Sequence, residues 1–352
     1  MKLLRLPGLI DCHVHLREPG AIYKEDFYSG TSAALAGGYV KVIDMPNNSQ
    51  PTTSLTALAE KRRLAAKKIV CDVGFHFGAD QNNWGSHKKA SKKTYGLKIF
   101  MNQTTGPLLI ENLEVLRNHF RFWPKEKPIM VHAEDSTLAK AITFAWLYQK
   151  WLHVCHLNQA SELELVKQAR KRGVRITCET APHYLFLTNK DEKSLGNFAK
   201  MRPPLATKKD QQALWQAVND GTIDILATDH APHTVEEKKS KEPPNGIPGL
   251  ETALPLMLTA VNKKKLSLKR LKELMCYKPA ELFGIKIDKN SWIEVDLTRS
   301  WRLKIKALKT KCGWSPFAGW LMKGKLISVF IRGKKVFENG QILAKKGSGK
   351  LL

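Results

Sequence analysis

Short apolar runs rich in β-branched residues alternate with longer segments of helical period as far as Gly284. The apolar runs at residues 9–13, 39–44, 70–77, 95–100, 129–132, 152–156, 174–179 and 223–228 read as strands. Between and after them, apolar positions recur at three- and four-residue spacing over 25–36, 55–68, 113–120, 136–149, 161–172, 208–220, 250–262 and 268–276, which read as helices. Strands that are apolar along their whole length are buried on both faces, as in a parallel sheet covered by helices. Eight strands alternating with helices predict an α/β fold of the closed (β/α)8 type. Past Gly284 the texture changes. Residues 292–297, 326–332 and 334–337, followed by Gly340-Gln341, read as short antiparallel strands with tight turns. They predict a small β appendage, completed by residues 1–7. The expected division is therefore a barrel over 8–284 and an appendage over 285–352 with 1–7, ending in a loose tail at 345–352. The segment 234–248, rich in Lys, Glu, Pro and Gly, is too polar for core and follows the last barrel strand.

Composition narrows the class. A chain of 352 residues with 43% hydrophobic content suffices for one large domain and an appendage. Six cysteines lie scattered without a disulfide framework, and no apolar signal segment opens the chain, so reduced thiols and a cytoplasmic location are expected. No uncharged apolar run approaches the roughly 20 residues of a membrane span. The net charge of +26 reads either as attraction for polyanions or as a lysine-rich solvated surface. The lysine clusters, such as Lys88-Lys89, Lys92-Lys93 and Lys263-Lys264-Lys265, sit at predicted helix ends and loops without interleaved aromatics. The solvated surface is the better reading. It predicts no membrane and no specific nucleic-acid partner, with non-specific polyanion binding at low salt.

Ligand-type residues collect at the predicted C-terminal strand ends, where barrels of this type build active sites. His13 and His15, two apart on an extended chain, project to one face and reach one metal ion. Lys98, His132, Cys155-His156, Glu179, and Asp229 with His233 follow in order. Any one of these alone is more simply a packed, hydrogen-bonded core residue. The repetition at successive strand ends is what chance lacks. Four His (13, 15, 132 and 156) and Asp229 suit zinc. Two metals need a bridge, and Lys98, standing in the apolar run Leu97-Lys98-Ile99-Phe100, is the candidate. It either snorkels to the strand end or, as a neutral buried amine, captures carbon dioxide to become an anionic carbamate ligand. Arg17, two residues past the His pair, either pairs with Glu18 or Asp26 or aims its guanidinium at an anion beside the metal.

The stretches 6–20 (LPGLIDCHVHLREPG), 44–47 (DMPN), 96–102 (GLKIFMN), 131–134 (VHAE), 153–156 (HVCH), 178–186 (CETAPHYLF), Arg202-Pro203, 227–233 (ATDHAPH) and 249–254 (GLETAL) resemble, in order, the dihydroorotases of the amidohydrolase superfamily, and most of all those of the animal multifunctional pyrimidine-synthesis proteins. The resemblance implies reversible closure of N-carbamoyl-L-aspartate to L-dihydroorotate. It implies one zinc on His13, His15 and Asp229, a second on His132 and His156, and carboxylated Lys98 between them. It gives Asp229 the catalytic proton transfer, and Arg17, Asn47, Arg202 and His233 contact with substrate. It places Thr104 in a mobile loop, and it associates Cys155 and Glu179 with a third zinc. A buried strand Cys is equally a small apolar residue, and adjacent Cys155 and His156 should face opposite sides of a regular strand. The chain departs from the animal pattern at Thr105, followed by Gly106-Pro107, and at Asn245 ahead of Gly246. By the same resemblance, association as a homodimer or with aspartate transcarbamoylase is open. Two other readings compete: a different cyclic amidohydrolase (allantoinase, hydantoinase or dihydropyrimidinase), and a non-catalytic dihydroorotase-like scaffold. Arg17, Asn47 and Arg202 weigh against the first, since a substrate without a carboxylate leaves a buried Arg unpaired. The complete donor set weighs against the second.

Overall fold

Eight parallel strands form the centre of the computed structural model, which describes residues 3–352. They are Leu9–Val14, Tyr39–Asp44, Asp72–Phe75 continued after His76 by Phe77–Gly78, Leu97–Phe100, Ile129–His132, Leu152–Val154, Ile176–Thr180 and Ile225–Leu226. Each pairs in parallel with the next, for example Leu97↔Ile129, Ile129↔Leu152 and Leu152↔Ile176. The ring closes where Val14 bridges His230 in parallel and the His15 N–H donates to His230 O at 2.8 Å. The wholly buried Asp11 fastens the same seam, accepting the N–H groups of His13 at 3.1 Å and of Thr228 at 3.2 Å. The helices Phe27–Ala36, Leu55–Ala66, Leu113–Phe122, Asp135–Leu147, Ala160–Lys171, Lys208–Asp220 and Leu250–Asn262 correspond to those predicted.

Three local features depart from expectation. The link between the third and fourth strands carries only the short helical pieces Asn83–Ser86 and His87–Ser91, too brief for periodicity to reveal. The helix predicted at 268–276 stays α-helical only over Leu268–Lys272, then widens to a π turn at Glu273–Tyr277 and resumes at Lys278–Phe283. Pro279 supplies the reason. It has no N–H to donate and its ring crowds the preceding turn, and the Lys278 N–H reaches back to Glu273 O instead.

The third departure is the tail, which is docked rather than loose. Leu351 bridges Val73 in parallel, the Val73 N–H donates to Lys350 O and the Leu352 N–H donates to Val73 O, both at 2.9 Å. The third strand first meets the segment of the fourth at Phe75, whose carbonyl accepts the Tyr95 N–H, so its lower edge would otherwise leave buried backbone groups unpaired. Gly349 permits the approach, since a Cβ there would stand 2.1 Å from Cys71 O.

A five-stranded antiparallel sheet lies beside the barrel in the order Leu4–Pro7, Trp292–Arg302, Leu321–Ile331, Lys334–Glu338, Gln341–Ile342. Residues 1 and 2 of the predicted N-terminal segment lie outside the described residues. The two long strands run further than predicted because their distal halves, past a bulge between Asp296 and Ser300, are too polar to read as strand.

Candidate active site

The C-terminal strand ends converge on a narrow cavity lined by His13, His15, Arg17, Asn47, Lys98, Thr104, His132, His156, Arg202 and Asp229, among others. Cys155, Glu179 and His233 stand directly behind this wall. Three lining residues, Arg17, His156 and Asp229, hold positive φ (63°, 39° and 46°) without being glycine. Such backbone is costly and concentrates at functional sites. At His156 it has a visible effect. The regular strand stops at Val154, and both Cys155 and His156 reach the site: the Cys155 Sγ lies 3.0 Å from Lys98 Nζ and the His156 ring 5.4 Å from that of His13. The opposite-face rule for strand neighbours therefore fails here.

The donor atoms fall into two sets. His13 Nε2 and His15 Nε2 lie 3.3 and 3.1 Å from the same oxygen, Asp229 Oδ1. That spacing is about the edge of a tetrahedron with bonds of ~2.05 Å, as around zinc. In the second set, His132 Nδ1 lies 2.9 Å from His156 Nε2. The far nitrogens of three of these rings have oxygen neighbours that orient them, as around metal-binding imidazoles. His13 Nδ1 meets Glu179 Oε1, His15 Nδ1 meets Asn47 Oδ1 at 2.8 Å, and His132 Nε2 stands 3.5 Å from Glu134 Oε1. The fourth, His156 Nδ1, is buried without a partner. Lys98 is 0% exposed, and no carboxylate lies within ion-pair distance of it among the described residues.

Protonation tendencies suit the arrangement. Burial pushes His15 down to about 3 and His132 and His156 below their ordinary values, so these imidazoles are neutral donors. Burial and Lys98 press His13 down, but Glu179 and Asp229 outweigh them and lift it to about 10; a bound cation competes with that proton. Burial raises Asp229, and the charges and hydrogen bonds of His13, His15 and His156 overcome this to hold it well below the carboxylate range.

Glu179 Oε1 faces His13, and its Oε2 accepts from His153 Nε2 at 3.2 Å. His13, Cys155 and Glu179 place donor atoms within 4.8 Å of one another. The geometry thus offers Glu179 two roles, orienter of His13 and donor to a further cation.

Arg17 is nearly buried, at 6% exposure, and has neither expected carboxylate partner. Glu18 is held by Lys68 and the Phe27 N–H, while Asp26 caps the helix Phe27–Ala36 and pairs with Lys311. Arg17 Nε donates to Pro232 O at 3.0 Å, and Nη2 lies 3.0 Å from His233 Nε2. The His233 tautomer follows from its neighbours. Lys24 Nζ, 3.1 Å from Nδ1, can only donate. Nδ1 therefore accepts and Nε2 carries the proton, which it gives to Asn245 O at 2.9 Å. Arg17 Nη2 then faces another donor, and its own N–H groups await an acceptor in the cavity. By contrast, Arg202 is half exposed and already paired with Glu134 at 2.9 Å. Asn47 spends its oxygen on His15 and donates to Thr105 O at 3.1 Å, so it ties the Thr104-Thr105 loop to a metal-site imidazole.

Sequence reading missed several contributors. Lys61, on an apparently solvent-facing helix, is fully buried. It pairs with Asp44 at 2.6 Å and donates to Met45 O and Asn48 Oδ1, which fixes the segment bearing Asn47. His183, inside the quoted CETAPHYLF stretch, lines the cavity with Nε2 unpartnered, and burial pushes it down to about 4.

The sequence model of the amidohydrolase family matches residues 4–110 and 125–336. The chain belongs to the amidohydrolase family. A stretch of the multifunctional protein CAD of Squalus acanthias is 44% identical over 99% of this amidohydrolase. The multifunctional protein pyr1-3 of Dictyostelium discoideum is 42% identical, again over 99%. The chain spans only 16% of the length of each of these two relatives. The dihydroorotase of Pyrococcus furiosus is 35% identical over 97% of this chain and 83% of its own length. Among solved structures, the L-hydantoinase (dihydropyrimidinase) from Arthrobacter aurescens superposes with a TM-score of 0.94 at 28% identity, covering 99% of this chain and 88% of its own. The inactive dihydroorotase-like domain of a Chaetomium thermophilum CAD-like protein superposes at 0.85 with 25% identity over the full length of both. The barrel and its antiparallel sheet are thus the amidohydrolase architecture. Among the described residues, no helix is long and apolar enough to cross a membrane.

Proposed function

We propose that the chain is a dihydroorotase, closing N-carbamoyl-L-aspartate to L-dihydroorotate and reopening it, as a cytoplasmic step of pyrimidine synthesis. The observation that carries this reading is the buried Arg17 with no carboxylate partner beside a cluster of convergent imidazoles. A guanidinium so placed wants an anionic substrate, and both compounds keep a carboxylate that does not react. The catalytic part is the barrel, 8–284, with 285–352 and 1–7 as its appendage. Association with a second copy or with aspartate transcarbamoylase belongs to the same proposal.

The convergent donors fit two zinc ions, one at His13, His15 and Asp229 and one at His132 and His156, with Lys98 as a carbamate between them. A buried amine with no anion beside it is suited to that modification, because the neutral form adds carbon dioxide and loses a proton. When bound, the metals supply Lewis acidity at the carbonyl under attack and lower the pKa of the attacking water. The chain's own groups do the rest. Arg17 holds the spectator carboxylate and sets the register of the reacting end, with His233, fixed on Asn245 O, beside it. Asp229 is anionic and faces the cavity, so its carboxylate takes the proton from the ureido nitrogen on closing and returns it to the ring nitrogen on opening. Asn47 and Glu134 keep His15 and His132 turned toward the metals. Thr104 and Thr105 cover the opening. Glu179 serves as orienter of His13, with a third zinc at Cys155 and Glu179 as its alternative use.

The test is hydrolysis of dihydroorotate by purified protein supplied with zinc and bicarbonate, alongside Lys98→Ala. Activity in the wild type and none in the variant is expected. Turnover of hydantoin or dihydrouracil instead would move the assignment to the hydantoinase branch, and bound metal without any turnover would sink it. Closure consumes one proton, because a dianion becomes a monoanion. The equilibrium must therefore shift about tenfold toward hydrolysis per pH unit between about 6 and 8, and a pH-independent ratio would exclude this substrate pair.

A further inference from the structure

Lys238 is fully buried on the short helix Val235–Lys239, just after the last barrel strand. Its Nζ donates to three main-chain carbonyls, Lys200 at 2.8 Å, Pro244 at 3.0 Å and Gly246 at 3.2 Å. An ammonium has three N–H groups, so every donor is used. Beneath it lies the Trp314 ring, 5.6 Å from Nζ to centroid, and Trp314 is itself fixed by donating to His233 O at 2.7 Å. The three carbonyls belong to two segments far apart in sequence, and both supply the cavity wall: Met201 and Arg202 on one side, Asn245 and Gly246 on the other.

The geometry sets which way these peptides face. In a trans peptide the C=O and N–H point in opposite directions. The Lys200–Met201 and Pro244–Asn245 units aim their oxygens at the ammonium, so their N–H groups point away from it. Neither of those N–H groups has a backbone acceptor among the described residues. The arrangement is a cation behind aligned peptide dipoles, with donor ends left available. Gly246 allows the tight turn, at φ +133° and with a Cβ position only 2.6 Å from Ala231 O.

We infer that Lys238 is a positioning residue for the reaction proposed above: it clamps the 200–202 and 244–246 segments together and so presents their backbone donors to polar groups of the bound substrate. The inference rests on the dihydroorotase reading for the identity of the substrate, but the clamp itself does not. Its contribution is to binding, so its loss raises KM and spares kcat.

The test uses the full chain with metal bound, as wild type, Lys238→Met and Lys238→Arg. Amide hydrogen exchange is measured first, without substrate, on peptides covering 196–203 and 241–248. Exchange at least about tenfold faster in Lys238→Met is expected in both segments, with metal content and the slowest-exchanging barrel strands unchanged. Kinetics on dihydroorotate should then show KM raised about tenfold or more and kcat within about threefold. Lys238→Arg, whose planar fork cannot reproduce three converging bonds, should fall between, and it carries the kinetic test if the Met variant does not fold. Unchanged exchange in a folded variant overturns the clamp. Faster exchange with unchanged KM overturns the positioning role. A wild type inert toward dihydroorotate sinks the functional reading and the substrate role with it, and the substrate-free exchange data tell that failure from a failure of the clamp.

Discussion

Replacing Arg17 by Met tests the anion site directly. Methionine keeps much of the apolar stem and removes the charge, and Arg17 owes no ion pair to the fold, so the variant should remain folded. It loses the Nε bond to Pro232 O, worth about 1 kcal/mol of stability, and gains from no longer burying a charge. Burial pushes the Arg17 guanidinium down to about 10, with Asp229 and Asp44 opposing, so it is still charged at assay pH. Two charge-assisted bonds to the substrate carboxylate contribute about 1.5–3 kcal/mol each, or roughly 3–6 kcal/mol together. At 1.36 kcal/mol per decade, kcat/KM for dihydroorotate should fall by about 10²–10⁴. The comparison substrate is dihydrouracil, the same ring without the carboxylate, on which the change should stay within about threefold. The assay is ring opening followed in the ultraviolet, with metal content measured on the same preparations. A loss smaller than tenfold on dihydroorotate, or an equal loss on both rings, would refute the assignment of Arg17 to the carboxylate.

Three further substitutions probe what holds the site. Lys61→Met leaves Asp44 buried without its cation and should cost about 3–5 kcal/mol in urea unfolding; a loss under 1 kcal/mol would mean the pair does not hold the Asn47 segment. Glu251 is half-buried, its carboxylate turned inward against the Lys309 and Thr310 N–H groups, and desolvation lifts it from 4.5 to about 8, against those bonds. Its proton is lost from the unfolded chain above pH 4.5 but kept in the folded one until about pH 8, so stability should decline across that window and level off above it. Glu251→Gln should flatten the decline, and an unaltered slope of the urea midpoint against pH would count against it. Gly349→Val cannot dock against Cys71 O, so it should expose residues 345–352 to limited proteolysis while the wild-type tail resists; equal cleavage would contradict the docked tail.

The barrel was legible because its signal is local. Apolar runs such as Ile129-Met130-Val131, and Val40 to Ile43 broken only by Lys41, announce buried parallel strands, and helical periodicity fills the gaps between them. What escaped depended on contacts distant in sequence. Nothing in residues 345–352 says that the third strand has a vacant lower edge, so polar composition reads as looseness. Lys61 sits in a helix with Lys, Arg and Glu neighbours, and only the fold brings it onto Asp44. The π turn at Glu273–Tyr277 needed the position of Pro279 to be weighed against the helix before it.

The site was legible as a set of residue types but not as a set of partnerships. Donor residues at strand ends indicate metal, since packing alone does not put so many imidazoles and carboxylates at one end of a barrel. Whether Arg17 was spoken for could not be read, because Glu18 and Asp26 are equally near in sequence and are removed only by Lys68 and by Lys311 with the helix cap. Asn47 and Arg202 are qualified the same way: one is engaged with His15 and the other with Glu134, and the His233 N–H with Asn245 O, which leaves Arg17 as the anion donor without a carboxylate partner among the described residues. Cys155 and His156 show the deepest limit. Strand parity separates adjacent side chains, and the chain evades it by ending the strand at Val154 and placing a non-glycine residue at φ 39°. That conformation is disfavoured for histidine taken alone, so no local propensity would predict it. It persists because the neighbouring strands hold it, and its consequence is that from consecutive positions the imidazole of His156 lines the cavity while the thiol of Cys155 stands behind its wall against Lys98.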